Sequence, residues 1–346
     1  MLNSVSLNRR TFAAITAISL MAPALWAQPR LEKTKITIAV GGKAALCFLP
    51  LTVAEQLGYF KAEGLDVEIS DFSDGVHAML AGQSGRVDVV SGSFENTISL
   101  QSRGHMFQAF VLQNRAPAIA MGIATKSTAQ IRSVAELKGK TIGISAHGST
   151  SHTVAQLMLS RAGLKPGDVI FVDVGMAAGA LSAWHSGLLD AMSNVDPVMT
   201  LLEQKGEIRL VADSRTLKGS VDLFGGVMPA ACLYAPVEFI QKHPKTVQAL
   251  TNALVHALKW LQTAGPSDLM RTVPEAYLLG DRALYLTSFD KVRSVISPDG
   301  MMFEGGPPNA LKVLASLDSS FKAENIEIGA TYTNDFASLA KLKFKA

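Results

Sequence analysis

Cysteine and aromatic residues are scarce in this sequence. Two of its 346 residues are cysteines and 7% are aromatic. Paired Cys-x-x-Cys spacings are absent, which removes the common zinc-binding and thioredoxin-like patterns. Cys47 and Cys232 could form a disulfide in an oxidising compartment, but two cysteines so far apart are more often separately buried apolar side chains. The sequence leaves both alternatives open.

An excess of charge of one sign is also lacking. The chain has 32 basic and 29 acidic residues, a formal net charge of +3. It has no runs of Lys and Arg and no interleaved aromatic and basic residues, so we expect no nucleic-acid partner. With 48% hydrophobic residues the composition argues against disorder, and the length suggests two domains.

The N-terminal residues 1–27 are typical of an export signal peptide. Arg9 and Arg10 form a basic start, and the mostly apolar stretch that follows is too short to span a membrane. We expect cleavage after Ala27, with Ala24 as a second choice. Residues 8–12 also resemble a twin-arginine signal, and an ordinary secretory signal fits equally well. No later segment is apolar enough to span a bilayer, so we expect an exported soluble protein.

Short apolar strands alternate with helices over residues 35–212. The predicted strands cover residues 35–40, 65–69, 87–90, 106–112, 119–124, 141–144, 169–172, 191–194 and 208–212. Predicted helices cover 51–59, 76–81, 95–101, 150–162, 177–185 and 197–204. This alternation predicts parallel pairing through crossover connections, and hence doubly wound α/β sheets. After about residue 226 the pattern changes to helices, at 236–242, 244–263, 283–296 and 309–317.

The two halves of this region repeat one pattern. In each half a Gly-Leu pair precedes a strand, at Gly64 and Gly163, and a Gly-x-x-Asp turn follows, at Gly85 and Gly187. Any two α/β segments can share such turns, but the order predicts two homologous lobes. We expect lobe 1 in residues 30–115 plus 225–346 and lobe 2 in residues 116–224, with crossings near 113–117 and 224–226.

Ligands of open parallel sheets lie beyond the carboxyl ends of the strands, so the loops there are the candidate site. The strongest loop is Gly148-Ser149-Thr150-Ser151, which precedes a helix. A helix N-terminus offers unpaired N–H groups to an anion, and Ser149 and Thr150 can add hydroxyl donors. The competing interpretation is simple helix capping. A second hydroxyl-rich loop, at Ser93, is expected to lie opposite.

Two further loops complete the candidate site. The loop that contains Gly42 and Phe48 combines flexible backbone with apolar surface and suits the organic part of a small ligand. Asp196 could accept a hydrogen bond from a ligand, but capping of the following helix explains it equally well.

Catalytic motifs are incomplete. Gly143-Ile144-Ser145-Ala146-His147 nearly matches G-x-S-x-G, but a histidine replaces the final glycine and no partnered acid is evident. The seven histidines are dispersed, and no phosphate-binding glycine motif occurs. We therefore expect no catalytic residues, no metal site and no cofactor.

A series of motifs occurs in a fixed order along the chain. The first is Leu49-Pro50-Leu51 followed by Ala54-Glu55-Gln56-Leu57-Gly58-Tyr59-Phe60. The later ones are Gly85-Arg86-Val87-Asp88, Leu137-Lys138-Gly139-Lys140-Thr141, Gly187-Leu188-Leu189-Asp190, Phe239-Ile240-Gln241-Lys242-His243-Pro244 and Tyr332-Thr333-Asn334. In this order the motifs resemble those of the periplasmic substrate-binding proteins of the nitrate/sulfonate/taurine type, the NMT1/THI5-like proteins, which include binders of thiamine-pyrimidine precursors.

The resemblance implies a type II periplasmic-binding-protein fold, in which two hinged α/β lobes close over a solute and deliver it to the permease of an ABC importer. By loop position it implies ligand contacts at Ser93, Ser149, Thr150 and Asp196, with Gly42 and Phe48 forming a near wall. The expected ligand is a small organic anion of sulfonate, carboxylate or pyrimidine-precursor type, bound by a monomer. The alternatives are a two-lobed sensor and an exported enzyme. The related eukaryotic pyrimidine synthases use a cysteine-rich motif that this chain lacks.

Overall fold

The computed structural model describes residues 30–125 and 131–346. The predicted signal peptide, residues 1–27, lies outside the described residues. Within them, no helix combines the length and the apolarity needed to cross a membrane.

Ten strands form two separate five-stranded sheets in the described residues. The strands are β1 (Lys35–Gly41), β2 (Asp66–Phe72), β3 (Val89–Ser93), β4 (Phe107–Leu112), β5 (Ile119–Ala124), β6 (Thr141–Ile144), β7 (Ile170–Asp173), β8 (Ala191–Val195), β9 (Ile208–Asp213) and β10 (Ala231–Pro236). The first sheet has the order β2-β1-β3-β10-β4 and the second has the order β7-β6-β8-β5-β9. The predicted two-lobed α/β fold is confirmed.

Helices connect and cover the sheets. They are α1 (Leu49–Gln56), α2 (Tyr59–Ala62), α3 (Gly75–Gln83), α4 (Glu95–Gln101), α5 (Thr150–Arg161), α6 (Ala178–His185), α7 (Val198–Gln204), α8 (Leu217–Phe224), α9 (Val237–Lys242), α10 (Pro244–Thr263), α11 (Pro266–Thr272), α12 (Arg282–Val292), α13 (Gly306–Leu317) and α14 (Asp335–Phe344). Short 3₁₀ helices lie at Leu46–Phe48, Val134–Leu137, Pro166–Asp168, Glu275–Tyr277, Arg293–Val295, Ala323–Asn325 and Ile328–Thr331.

The two sheets share one topology. In the first, β1 pairs in parallel with β2 and β3, while β10 is antiparallel to β3 and β4. In the second, β6 pairs in parallel with β7 and β8, while β5 is antiparallel to β8 and β9. The antiparallel member of each sheet is the strand that the chain forms just after it passes from one sheet to the other. This repeat supports two lobes of common design.

The prediction of purely parallel pairing is therefore wrong for half of the neighbouring strands. Its physical reason is that β5 and β10 follow a crossing of the chain from the other lobe, so no crossover helix within their own lobe sets their direction. The strand β10 was missed altogether, because the sequence after residue 226 predicted helices only. It is almost entirely buried, and it lies between the central strand β3 and the edge strand β4 of the first sheet.

The C-terminal helices combine burial with contacts to both sheets. In α10, the apolar stripe at helical spacing faces the core, since Val247, Leu250, Leu254, Leu258 and Leu261 are all at most 1% exposed. This helix packs on α1, α2, α14 and β4. In contrast, α12 contacts α7 and α13 contacts α5, both of the second lobe. Both helices also contact lobe 1, α12 at the 3₁₀ helix Leu46–Phe48 and α13 at α4, so they bridge the two lobes.

Candidate functional site

A cleft between the two sheets holds most of the loops that follow the strands. It contains about 600 Å³ of empty space including its mouth. Its lining consists of Cys47, Phe48, Gly75, Val76, Gly92, Ser93, Asn96, Pro117, Ile119, Ser145, Ser149, Thr150, Ser151, Met176, Val195, Ala230 and Ala231. The cleft is narrow and suits only a small solute.

The lobes touch each other across this cleft. The Ser93 and Thr150 hydroxyl oxygens lie 2.7 Å apart, within hydrogen-bonding distance. The backbone N–H of Leu46 donates to the Asp196 carbonyl at 3.2 Å. A Cβ at Gly42 would lie 2.8 Å from the Met176 sulfur, so these two residues are packed closely. The structure therefore represents a closed arrangement of the lobes.

Serine hydroxyls organise the N-terminus of α5. The Ser145 Oγ lies 2.9 Å from both the Ser149 Oγ and the Ser151 Oγ. The Ser149 Oγ also accepts a hydrogen bond from the His152 N–H and so caps the helix. Ser149 therefore does serve as a cap, while Thr150, the first helical residue, directs its hydroxyl to the opposite lobe. This arrangement places Thr150 at the centre of the cleft.

Glu95 is a site residue that the sequence reasoning missed. It is the first residue of α4, two positions after Ser93 in the sequence, and it is only 3% exposed. Its Oε2 has no hydrogen-bond partner. Burial raises the pKa of Glu95 to about 7, although a hydrogen bond from Thr150 opposes the rise. An acid in the first turn of a helix usually reflects the helix dipole, so the sequence offered no reason to single it out.

The remaining lining is apolar or uncharged. Phe48 and Cys47 come from the 3₁₀ turn before α1, and Met176 and Val195 come from the second lobe. No lysine, arginine or histidine side chain is among the described residues that line the cleft. An anion held here would therefore depend on backbone N–H groups, hydroxyls and the positive end of α5.

The structure brings four of the six predicted ligand residues into the cleft lining. They are Phe48, Ser93, Ser149 and Thr150. Gly42 lies beside the cleft against Met176, and its φ of 75° is in the left-handed region that favours glycine. Asp196 lies outside the lining. The sequence reasoning missed Ser145, Asn96 and Met176 as well as Glu95.

The Asp196 carboxylate contacts residues of its own lobe. It is 1% exposed, and its Oδ1 accepts a hydrogen bond from the Thr200 N–H at 2.7 Å. Its Oδ2 lies 3.4 Å from Arg215, which is itself buried. Burial raises the pKa of Asp196, and the charge of Arg215 counteracts that rise. This geometry matches the capping interpretation, and a ligand contact at Asp196 stays a prediction.

The cysteines and histidines have structural surroundings. Cys47 and Cys232 are free and buried, and burial raises the thiol pKa of Cys47 to about 12. Beside the cleft, the His147 Nδ1 lies 2.7 Å from the Asp173 carboxylate. The described residues contain no group of three or more His, Cys, Asp or Glu side chains that could hold a metal ion.

Comparison with known proteins identifies the family. The family model described as "NMT1/THI5 like" matches residues 46–265. A solved structure from Bordetella bronchiseptica RB50 is 47% identical, covers 92% of this chain and 100% of its own, and superposes with a TM-score of 0.90. The putative binding protein YtlA of Bacillus subtilis (strain 168) is 23% identical over 86% of this chain and 87% of its own length.

Two more distant proteins carry functional names. The alkanesulfonate-binding protein SsuA from Xanthomonas axonopodis pv. citri, solved bound to MOPS, is 18% identical, with a TM-score of 0.67 over 88% of this chain and 100% of its own. This likeness shows that the two proteins share a fold. The 4-amino-5-hydroxymethyl-2-methylpyrimidine phosphate synthase of Schizosaccharomyces pombe is 23% identical over 65% of this chain and 64% of its own length, so the chain spans less than two thirds of that enzyme.

Proposed function

The chain belongs to the NMT1/THI5-like family, and on that premise we propose that it captures a small organic anion between its lobes and delivers it to the permease of an ABC importer. The proposal includes export to the periplasm, action as a monomer, and lobes bounded at residues 30–115 plus 225–346 and 116–224. It supposes that the protein binds its solute without transforming it.

The observation that carries the proposal is the meeting of Thr150 and Ser93 across the cleft. Their hydroxyls belong to different lobes and lie 2.7 Å apart. A ligand at this point would contact both lobes at once and would thereby favour the closed arrangement. The N-terminus of α5 and the hydroxyls of Ser149 and Thr150 suit an anionic group, such as a sulfonate or a carboxylate. Phe48 and Met176 suit its organic part.

Identification of the natural ligand is the first experiment. Mass spectrometry of small molecules released from natively purified protein should find a small organic anion. Excess ligand incubated with a catalytic amount of protein should be recovered unchanged. A new product would replace the binding-protein proposal with an enzyme.

Thr150→Val tests the cleft as the binding site. Valine keeps the shape of threonine but removes the hydroxyl. Loss of a hydrogen bond to a charged ligand group costs about 1.5–3 kcal/mol, which corresponds to roughly 10- to 150-fold in affinity. Calorimetry with the identified ligand should show this loss.

Thr153→Val is the matched control for this experiment. Thr153 lies on the same helix and is buried, but it is absent from the cleft lining, and its hydroxyl donates to the Ser149 carbonyl. This control should bind as tightly as the wild type. Equal affinity in all three proteins would place the ligand elsewhere.

A further inference from the structure

Glu95 is a buried acid with no basic partner at the point where the lobes meet. Its carboxyl group lies next to the Thr150 hydroxyl of the other lobe, and its Oε2 has no hydrogen-bond partner. The residue is 3% exposed. An ionised carboxylate in such surroundings is costly unless a donor or a cation compensates it.

The neighbouring elements supply no compensating cation. On β10, the Cys232 thiol and the Tyr234 phenol interact electrostatically with Glu95, and burial raises the pKa of both, so both stay neutral. The strands β3 and β4 carry no charged residue. On α5, the first-turn His152 accepts a hydrogen bond from the Gly148 N–H, and burial lowers its pKa to about 4.

Two further elements pack on α4. The 3₁₀ helix Ile328–Thr331 carries no charged residue, and Lys312 of α13 is exposed to solvent. A negative charge on Glu95 would therefore be unopposed in the closed arrangement.

We propose that Glu95 is protonated in the ligand-bound state and that capture of an anion is coupled to the uptake of one proton by this carboxylate. The inference rests on the proposed function, because it assumes an anionic ligand beside Thr150. The proton comes from solvent and binds a carboxylate oxygen, which turns an acceptor into a hydrogen-bond donor. If Glu95 were ionised, its negative charge would instead repel an anion on the other side of the Thr150 hydroxyl group.

The coupling makes affinity depend on pH in a definite direction. When the lobes open, Glu95 gains access to water and its pKa returns towards the ordinary range of a glutamic acid. Burial in the closed arrangement raises that pKa to about 7, and a neighbouring anion would raise it further. At pH values between the open-state pKa and the bound-state pKa of Glu95, one proton is taken up per ligand. Affinity should therefore fall about tenfold for each unit rise in pH over this interval.

The experiment is calorimetry between about pH 5.5 and pH 8.5 with ethanesulfonate, benzenesulfonate and benzoate, anions that do not titrate over this range. Wild-type affinity should fall as the pH rises. Measurements in two buffers of different ionisation enthalpy should show the uptake of about one proton per ligand at pH values between the open-state and bound-state pKa of Glu95.

Two variants separate protonation from structure. Glu95→Gln carries a permanently neutral donor, so it should bind at low pH within a few-fold of the wild type and should lose the pH dependence. Glu238→Gln is the control, because Glu238 is an exposed residue of α9 paired with Lys242. It should keep the wild-type pH profile.

The possible failures point to different conclusions. Anion binding that is independent of pH, without proton uptake, would overturn this inference and leave the proposed function intact. Affinity that rises with pH would also overturn it and would make Glu95 the acceptor for a ligand donor. A wild type that binds none of the three anions even at low pH would overturn the anionic ligand itself, and this inference with it.

Discussion

Arg215 is the largest of the fully buried side chains, and acidic groups surround it. It is 1% exposed and lies 2.7 Å from Asp213, 3.0 Å from Glu203 and 3.4 Å from Asp196. Of these acids, Asp196 is also fully buried, so it depends most on the arginine. Removing one member of a buried ion pair leaves the other charge uncompensated in the protein interior.

Arg215→Met should therefore destabilise the protein by about 3–5 kcal/mol near neutral pH. Urea unfolding measures this loss in free energy of unfolding. Lys218→Met is the control, since Lys218 forms an exposed pair with Asp222 and surface pairs contribute little. Similar losses of unfolding free energy in the two variants would mean that the buried ion pairs of Arg215 stabilise the protein no more than an exposed pair does.

The destabilisation caused by Arg215→Met should depend on pH. Burial tends to raise the pKa of Asp213, but the hydrogen bond and charge of Arg215 lower it below its ordinary value. A carboxylate with a lowered folded-state pKa stabilises the protein above its unfolded pKa, and this stabilisation is lost as the pH falls. The variant lacks this stabilisation, and acid also neutralises its unpaired Asp196. The stability difference between wild type and variant should therefore narrow as the pH falls; a difference that widened would contradict this assignment.

The roles of some site residues could be predicted from sequence, and those of others could not. Ser149 and Thr150 were identified because a hydroxyl-rich loop before a helix is a local pattern. Asp196 is equally local in sequence, but Arg215, which partners it, lies beyond the next helix and strand. Glu95 could not be distinguished from an ordinary helix-start acid, because its burial depends on β10, α5 and α13. Local sequence patterns thus find donors, whereas the packing of distant elements decides whether a charge is solvated.

At the level of elements, close approach of β1 to the start of α3 fixes one wall of the cleft. A Cβ built on Gly41 would lie 2.1 Å from the Asp74 carbonyl carbon and 2.2 Å from the Gly75 nitrogen. These are backbone atoms, so no side chain can move away to make room. Asp74 in turn caps α3 by accepting from the Val76 and His77 N–H groups. Glycine at position 41 therefore sets where α3 begins.

Gly41→Ala should shift the start of α3, lower the free energy of unfolding by about 1–3 kcal/mol or more, and weaken ligand binding. Thermal unfolding and calorimetry measure the two effects. Gly167→Ala is the control, because a Cβ there meets nothing within 4 Å and its φ is not positive. If Gly41→Ala behaved like this control, the close approach would have no energetic consequence.

Element prediction succeeded where hydrophobic period and turn residues agree. The helix α10 begins at a proline, carries an apolar stripe and was predicted over its full length. The strand β10 was missed because Ala231–Pro236 is short, ends in proline and follows a region read as helical. Its direction could not be predicted from local sequence, because it is set by the return of the chain from the other lobe.

At the scale of the whole molecule, the two sheets repeat one strand order and face each other across one cleft. The repeat of Gly-Leu and Gly-x-x-Asp signals predicted this doubling, since each signal marks an equivalent turn. The closed arrangement could not be predicted, because it depends on contacts between lobes. Among these, Lys291 of α12 lies 2.6 Å from Glu203 of α7. The C-terminal helices therefore help to hold the second lobe.

A disulfide between the lobes tests whether ligand exchange requires them to separate. The Ser93 and Thr150 hydroxyl oxygens are 2.7 Å apart, so cysteines at both positions should come within bonding reach. The native Cys47 and Cys232 are buried, and burial raises the pKa of both thiols, so they should not compete during oxidation.

Oxidised Ser93→Cys/Thr150→Cys protein should stay compact in solution scattering with or without ligand, and should neither take up nor release ligand. Reduction should restore a larger radius of gyration without ligand and compaction on ligand addition, since binding can favour only the state for which the ligand has higher affinity. Saturating ligand should also raise the stability of the reduced form, by about 2.7 kcal/mol at a hundred times Kd. The single Ser93→Cys variant controls for the substitution and should bind in both redox states. Free exchange of ligand by the oxidised double variant would mean that the cleft fills without lobe motion.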